Sequence, residues 1–265
     1  MHLSQQAVSK TVAQLERELG VELLVRTRRE VGLTEAGREL LADGRRALDA
    51  ADAAFARARM RAGGLEGVLR VGATPAVGPF VASGLARRIR AAAPSLSVRL
   101  TEVRPDEILP GVAGGRLDAV LTRAVPPVEG LVVDALAPTP AQVVLPVGHR
   151  LAERTEVGLA DLDGERLMVW SSPGTPYTDL LLALCREGGA AVEPVETRIT
   201  GSGQLFELGE LGAVAIVPVG RAISDEHRAL PLRGGVALPL NAVRRPGRPA
   251  PALALMLAAL SPQSG

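Results

Sequence analysis

The sequence predicts an α/β protein in three parts: an N-terminal helix with a basic hairpin, a long connecting helix, and a larger domain of alternating strands and helices. Three observations carry this. Val8, Val12, Leu15 and Leu19 recur at steps of four, three and four, the spacing of one helix face. Thr34 to Arg61 holds no proline and has a narrow apolar seam. From Leu65 onward, short β-branched runs alternate with helical ones.

The first helix is predicted over Ser4 to Leu19. Ser4 stands at the N-cap, and Gly20 stands where the chain needs a positive φ to leave the helix. Its polar face is Gln5, Gln6, Ser9, Lys10, Gln14 and Arg17, with no carboxylate before Glu16. Such a face suits either a solvated surface helix or one lying in a DNA major groove, where amides and cations read base edges and hydroxyls hold phosphate. After Gly20, VELLVRT and EVGLT form a small hairpin with a basic tip at Arg26, Arg28 and Arg29. A hairpin directly after a groove-reading helix is a wing that sets cations against phosphate.

In the second part, Ala36, Leu40, Ala47, Leu48, Ala51, Phe55 and Ala58 fall at steps of mostly three and four between charged positions. A seam that narrow is best buried against a second copy of itself, and Gly63-Gly64 ends the helix. The third part begins with strands VLRVGA (68–73), SVRLTEV (97–103) and DAVLTR (118–123), with helices through Phe80 to Ile89 and Asp106 to Gly114 between them. A second set follows: strands VVLPV (143–147), RLMVW (166–170), ETRIT (196–200) and AVAIVPV (213–219), helices from Thr175-Pro176 to Arg186 and around Leu205 to Leu211, and a closing helix from Pro251 to Leu260. Parallel sheets of this kind bind ligands at the carboxyl ends of their strands.

Composition narrows the function. Apolar residues make up 47% but aromatics only 2%, so the cores are built from Ala, Val and Leu. The formal net charge of +1 excludes a globally basic nucleic-acid coat, and any DNA contact must be local. The single Cys185 sits in a helical run and reads as a packing residue. His2, His149 and His227 have no metal-ligand spacing. No apolar run approaches the roughly 18 residues of a membrane span, and no export signal opens the chain. These features point to a cytoplasmic protein without a membrane partner, and they exclude a transport solute-binding protein. Catalysis is not expected: there is no nucleophile elbow, P-loop or dinucleotide fingerprint, and Asp118 and Asp161 read as structural acids. No cofactor and no metal is expected.

The order helix, glycine turn, basic hairpin and long helix resembles the LysR-type transcriptional regulators. The segment SQQAVSKTVAQLERELGVELLVRTRREVGLTEAGRELL follows the second half of that family's winged helix-turn-helix nearly residue for residue, with Ser4-Gln5, Ser9, Leu15-Glu16, Leu19-Gly20, Arg26-Thr27 and Leu33 to Gly37 as its key elements. GELGAVAIVP and AGGRLDAVLTR resemble segments of the family's effector domain. The resemblance implies a partial winged helix-turn-helix over 1–33, a linker and dimerisation helix over 34–64, and an effector domain over 65–265 like the type 2 periplasmic binding proteins. That domain would have lobe 1 at 65–137 and 241–265, lobe 2 at 138–240, and a ligand between them. The family's motif needs a first helix ahead of Leu3, roughly twenty or more residues. The expectation is therefore that the true start lies upstream, which an in-frame stop codon just before Met1 would refute.

The resemblance implies promoter DNA, a small anionic effector such as a carboxylate, and a homodimer or homotetramer as partners. Gln5, Ser9 and Lys10 are expected at bases or phosphates, and Arg26, Arg28 and Arg29 on phosphate. Effector contacts are expected from Thr74 by hydroxyl and backbone N–H, from Thr122, from Arg123 as a carboxylate fork, and from Ser171, Ser172, Thr200 and Ser202 in the second-lobe loops. The alternative is a ligand-binding dimer that lacks DNA binding because its helix-turn-helix is incomplete.

Overall fold

The computed structural model describes residues 5–26, 31–44, 47, 48, 51, 65, 67–199, 204–221 and 223–261. Ser4, Arg28, Arg29, Gly63, Gly64, Thr200, Ser202 and Gly203, with the side chains of Gln5, Gln6, Val8 and Arg26, lie outside the described residues. The chain divides into two compact units, Met1–Ala54 and Phe55–Gly265.

In the first unit, α1 spans Gln5–Leu19, and Gly20 leaves it at φ 71°. Strands β1 (Leu24–Arg26) and β2 (Val31–Leu33) pair antiparallel with Leu24 opposite Leu33 and Arg26 opposite Val31, as the hairpin reading expects. Glu16 ties helix to hairpin, its carboxylate accepting the backbone N–H of Leu23 at 2.8 Å and of Leu24 at 3.1 Å. Thr34 then starts α2 (35–44): its hydroxyl donates to the Glu22 carbonyl and accepts the Gly37 N–H at 2.9 Å. Residues 47, 48 and 51 are helical as well. The apolar face of α1 is largely in solvent, with Leu15 38% and Leu19 48% exposed. On the long helix, Leu48 of the seam is exposed too, while Leu40 of the seam is half-buried.

The second unit is built on one sheet that curls through two cores. Strands β3 (Gly67–Ala73), β4 (Leu96–Glu102) and β5 (Ala119–Thr122) are parallel with β3 central, as the alternation predicts. Helices α3 (Pro79–Ala92) and α4 (Ile108–Ala113) connect them. Next comes the largest departure from expectation. VVLPV is not a separate strand but the second half of β6 (Val132–Pro146), which runs from the first core into the second. Its first part pairs with β11 (Ala237–Arg244); its second part pairs with β9 (Ala215–Pro218) and β10 (His227–Pro231). The register of β6 against β11 shifts between Leu238 and Leu240, at Pro239. Proline has no N–H for a ladder and is tolerated at such an irregularity.

Strand β7 (Arg166–Val169) pairs in parallel with β8 (Glu193–Glu196). Of ETRIT, Glu196 therefore ends the strand and residues 197–199 lie beyond it. The ladder ends at Glu196, and the Glu207 carboxylate bends the next residues by accepting the Thr197 hydroxyl and the backbone N–H groups of Arg198 (2.8 Å) and Ile199 (3.2 Å). Helix α5 (Pro176–Glu187) begins at Thr175 as predicted, but Thr175 makes no side-chain cap and donates instead to the Ser172 carbonyl. The helix expected around Leu205 is a short turn at Gln204–Glu207 followed by α6 (Leu208–Leu211). Helix α7 (Pro251–Leu260) closes the first lobe, burying Ala252, Met256 and Leu260 against Leu69, Leu85 and Ile89. The second core gathers Val143, Leu145, Leu167, Leu181, Cys185 and Ile216. Separate clusters cover the opposite sheet faces, Ile108, Val120 and Val243 in one lobe and Val144, Met168 and Val217 in the other, so the sheet has packed side chains on both faces in each lobe.

Candidate functional site

The two lobes meet where β3 ends, and the chain there is held from below. The Thr74 N–H donates to the Leu121 carbonyl at 3.1 Å, and its hydroxyl reaches the Thr122 hydroxyl at 3.4 Å. Thr122 in turn donates to the Ala124 carbonyl at 2.8 Å. Both threonines are buried. The expected pairing of the Thr74 hydroxyl with its own N–H toward an anion does not form, because the N–H ties the 74–78 loop to β5.

Arg123 also departs from its expected role. It is 1% exposed. Its Nε donates to the Ala76 carbonyl (2.9 Å), Nη1 to the carbonyls of Leu238 (3.2 Å) and Pro239 (3.0 Å), and Nη2 to the Val77 carbonyl (3.4 Å) and the Thr139 hydroxyl (3.2 Å). A guanidinium has five N–H donors, and five neutral acceptors take them, leaving none for a carboxylate in this conformation. Burial without a carboxylate partner pushes its pKa down to about 10, a shift partly offset by nearby Tyr177. Arg123 is a clamp on the 74–78 loop and on both strands that cross between the lobes.

The second lobe brings three side chains to the same junction, none of them anticipated from the sequence. Trp170 follows β7, and Tyr177 lies in the first turn of α5; their rings sit 5.5 Å apart, tilted by 55°. The Arg221 guanidinium lies 5.7 Å from the centre of the Trp170 ring and donates from Nη1 to the Pro75 carbonyl of the first lobe at 3.2 Å. Arg221 is buried, and desolvation lowers its pKa against the opposing pull of Tyr177 and Glu102. The Trp170 Nε1 and Tyr177 hydroxyl are both buried without a hydrogen-bond partner among the described residues. Burial pushes the Tyr177 phenol up to about 12 despite the nearby Arg123 and Arg221 charges. In a chain with one Trp and one Tyr, the placement of Trp170 just after one strand and of Tyr177 at a helix start was the signal available.

Of the other expected contacts, Ser171 and Ser172 are engaged within their own lobe, and Thr200 and Ser202 lie outside the described residues. The Ser171 carbonyl accepts the Thr178 hydroxyl at 2.7 Å, and the Ser172 hydroxyl donates to Glu196 at 2.6 Å. Asp118 accepts the Arg70 N–H, and Asp161 accepts the Gly158 N–H, as structural acids would. Cys185 is buried, its thiol pushed up to about 11 by desolvation. Among the described residues no group of three His, Cys, Asp or Glu side chains could hold a metal ion, and no helix is long and apolar enough to cross a membrane. In the first unit, Ser9 and Lys10 stand exposed on α1. Gly37 is buried directly against the hairpin, where an added Cβ would lie 2.1 Å from the Leu23 carbonyl oxygen.

The chain is similar to known proteins over most of its length. Residues 1–38 match the family described as bacterial regulatory helix-turn-helix protein, lysR family, and residues 62–264 match the LysR substrate binding domain. A probable hydrogen peroxide-inducible genes activator of Streptomyces viridosporus is 34% identical over 218 residues, covering 82% of this chain and 69% of that protein. The DNA-binding transcriptional dual regulator OxyR of Escherichia coli K12 is 29% identical over 257 residues, covering 94% of this chain and 83% of its own. The crystal structure of CbnR, a LysR family transcriptional regulator, superposes with a TM-score of 0.65 at 25% identity, over 97% of this chain and 91% of that one.

Proposed function

The chain belongs to the LysR family, whose members are DNA-binding transcriptional regulators and not enzymes, and from that premise we propose that it senses a small organic anion between its two lobes. The observation that carries this reading is the pair of buried groups without a partner among the described residues, the Trp170 Nε1–H and the Tyr177 hydroxyl, beside the Arg221 guanidinium. Two hydrogen-bond donors and a desolvated cation in one place favour an acceptor with negative charge, and a carboxylate fits both needs. Thr74 and Thr122 lie across the junction as further hydroxyl contacts. Ser171, Ser172, Thr200 and Ser202 are proposed as further contacts to the ligand. The regulator works in the cytoplasm as a homodimer or homotetramer, and the exposed Leu48 of the long helix supports burial of that seam by a second copy. Binding shifts the population of lobe arrangements, and the shift passes through the long helix to the DNA-reading unit.

The relatives named for peroxide induction invite a thiol-based reading, which the chemistry here does not support. These 265 residues hold one cysteine, which cannot close a disulfide with another. Its buried, protonated thiol is a poor nucleophile.

Trp170 is the single tryptophan, so its emission reports directly on the junction. Titrating small mono- and dicarboxylates is expected to find one that shifts this emission, with the response lost in Arg221→Gln. No shift from any carboxylate, or a full response in the variant, defeats the proposal. For DNA, Gln5, Ser9 and Lys10 are proposed at bases or phosphates, with Arg26, Arg28 and Arg29 on phosphate. Fluorescence anisotropy of the full-length gene product on the intergenic DNA beside its gene, across a salt series, tests this. Arg28→Ala should weaken binding to all sequences and reduce the salt slope by about one unit.

A further inference from the structure

A cationic shelf lies on the outer sheet face of the first lobe. Strands β3 and β4 run parallel with Val68 opposite Ser97, Arg70 opposite Arg99 and Gly72 opposite Thr101. Side chains paired in this way share a face, and neighbouring strands are only about 4.8 Å apart. The face is the one on which α4 packs, because a Cβ added at Gly72 would lie 2.9 Å from the side chains of Leu117 and Val120. Toward the sheet edge that cover ends: Ser97, Arg99 and Thr101 are exposed and Arg70 is half-buried. Two guanidiniums and two hydroxyls thus stand together on two adjacent strands.

None of these four side chains makes a hydrogen bond or ion pair among the described residues, and Arg70 Nη1 is buried without a partner. The acid at the start of the neighbouring strand is already engaged. Asp118 accepts the Arg70 backbone N–H at 2.9 Å and faces Arg245 Nη2 at 3.7 Å, while Arg245 Nη1 holds the carbonyls of Val112 and Leu117. Like charges side by side on adjacent strands repel, and a buried N–H without an acceptor is costly. An anion set between Arg70 and Arg99 removes both costs. We propose that this shelf binds a phosphate group, as the free ion or as a small phosphomonoester, gripped by both guanidiniums with the Ser97 and Thr101 hydroxyls donating to its remaining oxygens. Phosphate oxygens match the guanidinium fork, and the group carries more than one charge at neutral pH, which answers two cations where a carboxylate answers one.

Inorganic phosphate is the probe, followed by isothermal titration calorimetry on the full chain at constant ionic strength. Arg70→Gln and Arg99→Gln are each expected to weaken binding by about tenfold or more. Arg186→Gln, which removes an exposed cation from α5 of the second lobe, should leave it unchanged. Thermal melts without phosphate show that the variants fold: relieved of repulsion, Arg99→Gln should melt no lower than the wild type. Added phosphate should then raise the wild-type melting temperature more than that of the variant. Glycerol 3-phosphate, titrated in parallel, tells the sources apart, since tighter binding than phosphate marks an ester and weaker binding the free ion. Absence of binding of either probe to the wild type, or equal affinity in Arg99→Gln and Arg186→Gln, overturns the proposal. So does binding that is lost in Arg221→Gln and retained in both shelf variants, since that places phosphate at the junction. A wild type that takes no phosphate, with an oligomer that dissociates in Arg99→Gln, assigns the shelf to a second copy instead. The carboxylate titration of Trp170 emission reads the junction alone, so either site can fail while the other stands.

Discussion

Arg221 of the second lobe donates to the carbonyl of Pro75 in the first at 3.2 Å while its guanidinium covers Trp170 at 5.7 Å. One side chain thus fastens the lobes together and shields the ring nearest the junction. A cation already placed across the gap can exchange a carbonyl for a stronger charged acceptor when a ligand arrives.

Removing that strap should be visible without any ligand. In Arg221→Ala the Trp170 ring loses its cover and the lobes lose a bond. Its emission is expected to move to the red, and quenching by acrylamide to increase. An unchanged spectrum and unchanged quenching would mean that Arg221 does not shield the ring in solution.

Arg123 should matter more for stability than for ligand affinity. Arg123→Met leaves the carbonyls of Ala76, Val77, Leu238 and Pro239 without this donor, and unpaired buried acceptors cost about 1–3 kcal/mol each. Removing a desolvated charge offsets part of that cost, so the expected net loss is about 3 kcal/mol in urea unfolding at unchanged m-value. Arg123→Lys should recover little of it, because an ammonium cannot reach four backbone carbonyls in a fixed fork. A near-neutral Arg123→Met would return the residue to the role of a ligand fork.

These two arginines show how far the residues alone carry the reading. The period of α1, the glycine that ends it, the hairpin and the strands around β3 depend on neighbours a few positions away, and all are present in the structure. Only the second half of β6 is legible as the run VVLPV; the first half carries Pro138 and Pro140, which sit at the crossing where an irregular register tolerates them. The strand expected from Glu196 ends there, because the bend that follows is set by Glu207, ten residues beyond Thr197. The partnership of Trp170, Tyr177 and Arg221 joins positions from two segments, and only the fold unites them. Arg123 was legible as a cation at a strand end; that five neutral acceptors surround it was not.

The Glu207 carboxylate predicts a pH dependence of known sign. The Thr197 hydroxyl, then the backbone N–H groups of Arg198 and Ile199 with the Arg198 side chain, hold its pKa below the ordinary carboxylate value, while partial desolvation works the other way. A group with a lowered folded pKa contributes stability that is present above its unfolded value, about 4.3, and is lost as pH falls through the folded value. Glu207→Gln should therefore be less stable than wild type at neutral pH, and the difference should shrink in acid below about pH 4. Paired urea melts at several pH values would show this. A constant difference would mean that the contacts of Glu207 do not depend on its charge.

Gly37 offers a test confined to the first unit. Alanine is the better helix former by about 1 kcal/mol at an ordinary helix position, so on propensity alone Gly37→Ala should stabilise α2. The Leu23 carbonyl forbids this, because it also accepts the Thr34 N–H and lies 2.1 Å from where the new Cβ would stand. Either the hairpin or the start of α2 must shift, at a cost of about 1–3 kcal/mol. Hydrogen exchange should therefore accelerate at Leu23, Leu24 and Gly37, whose N–H groups bond to Glu16 and Thr34, and leave β3 and β5 of the second unit unchanged. Affinity for DNA should fall with it, since the wing is carried by that hairpin. Unaltered exchange at these three amides would mean that the Gly37 contact is not what holds the hairpin against the helix.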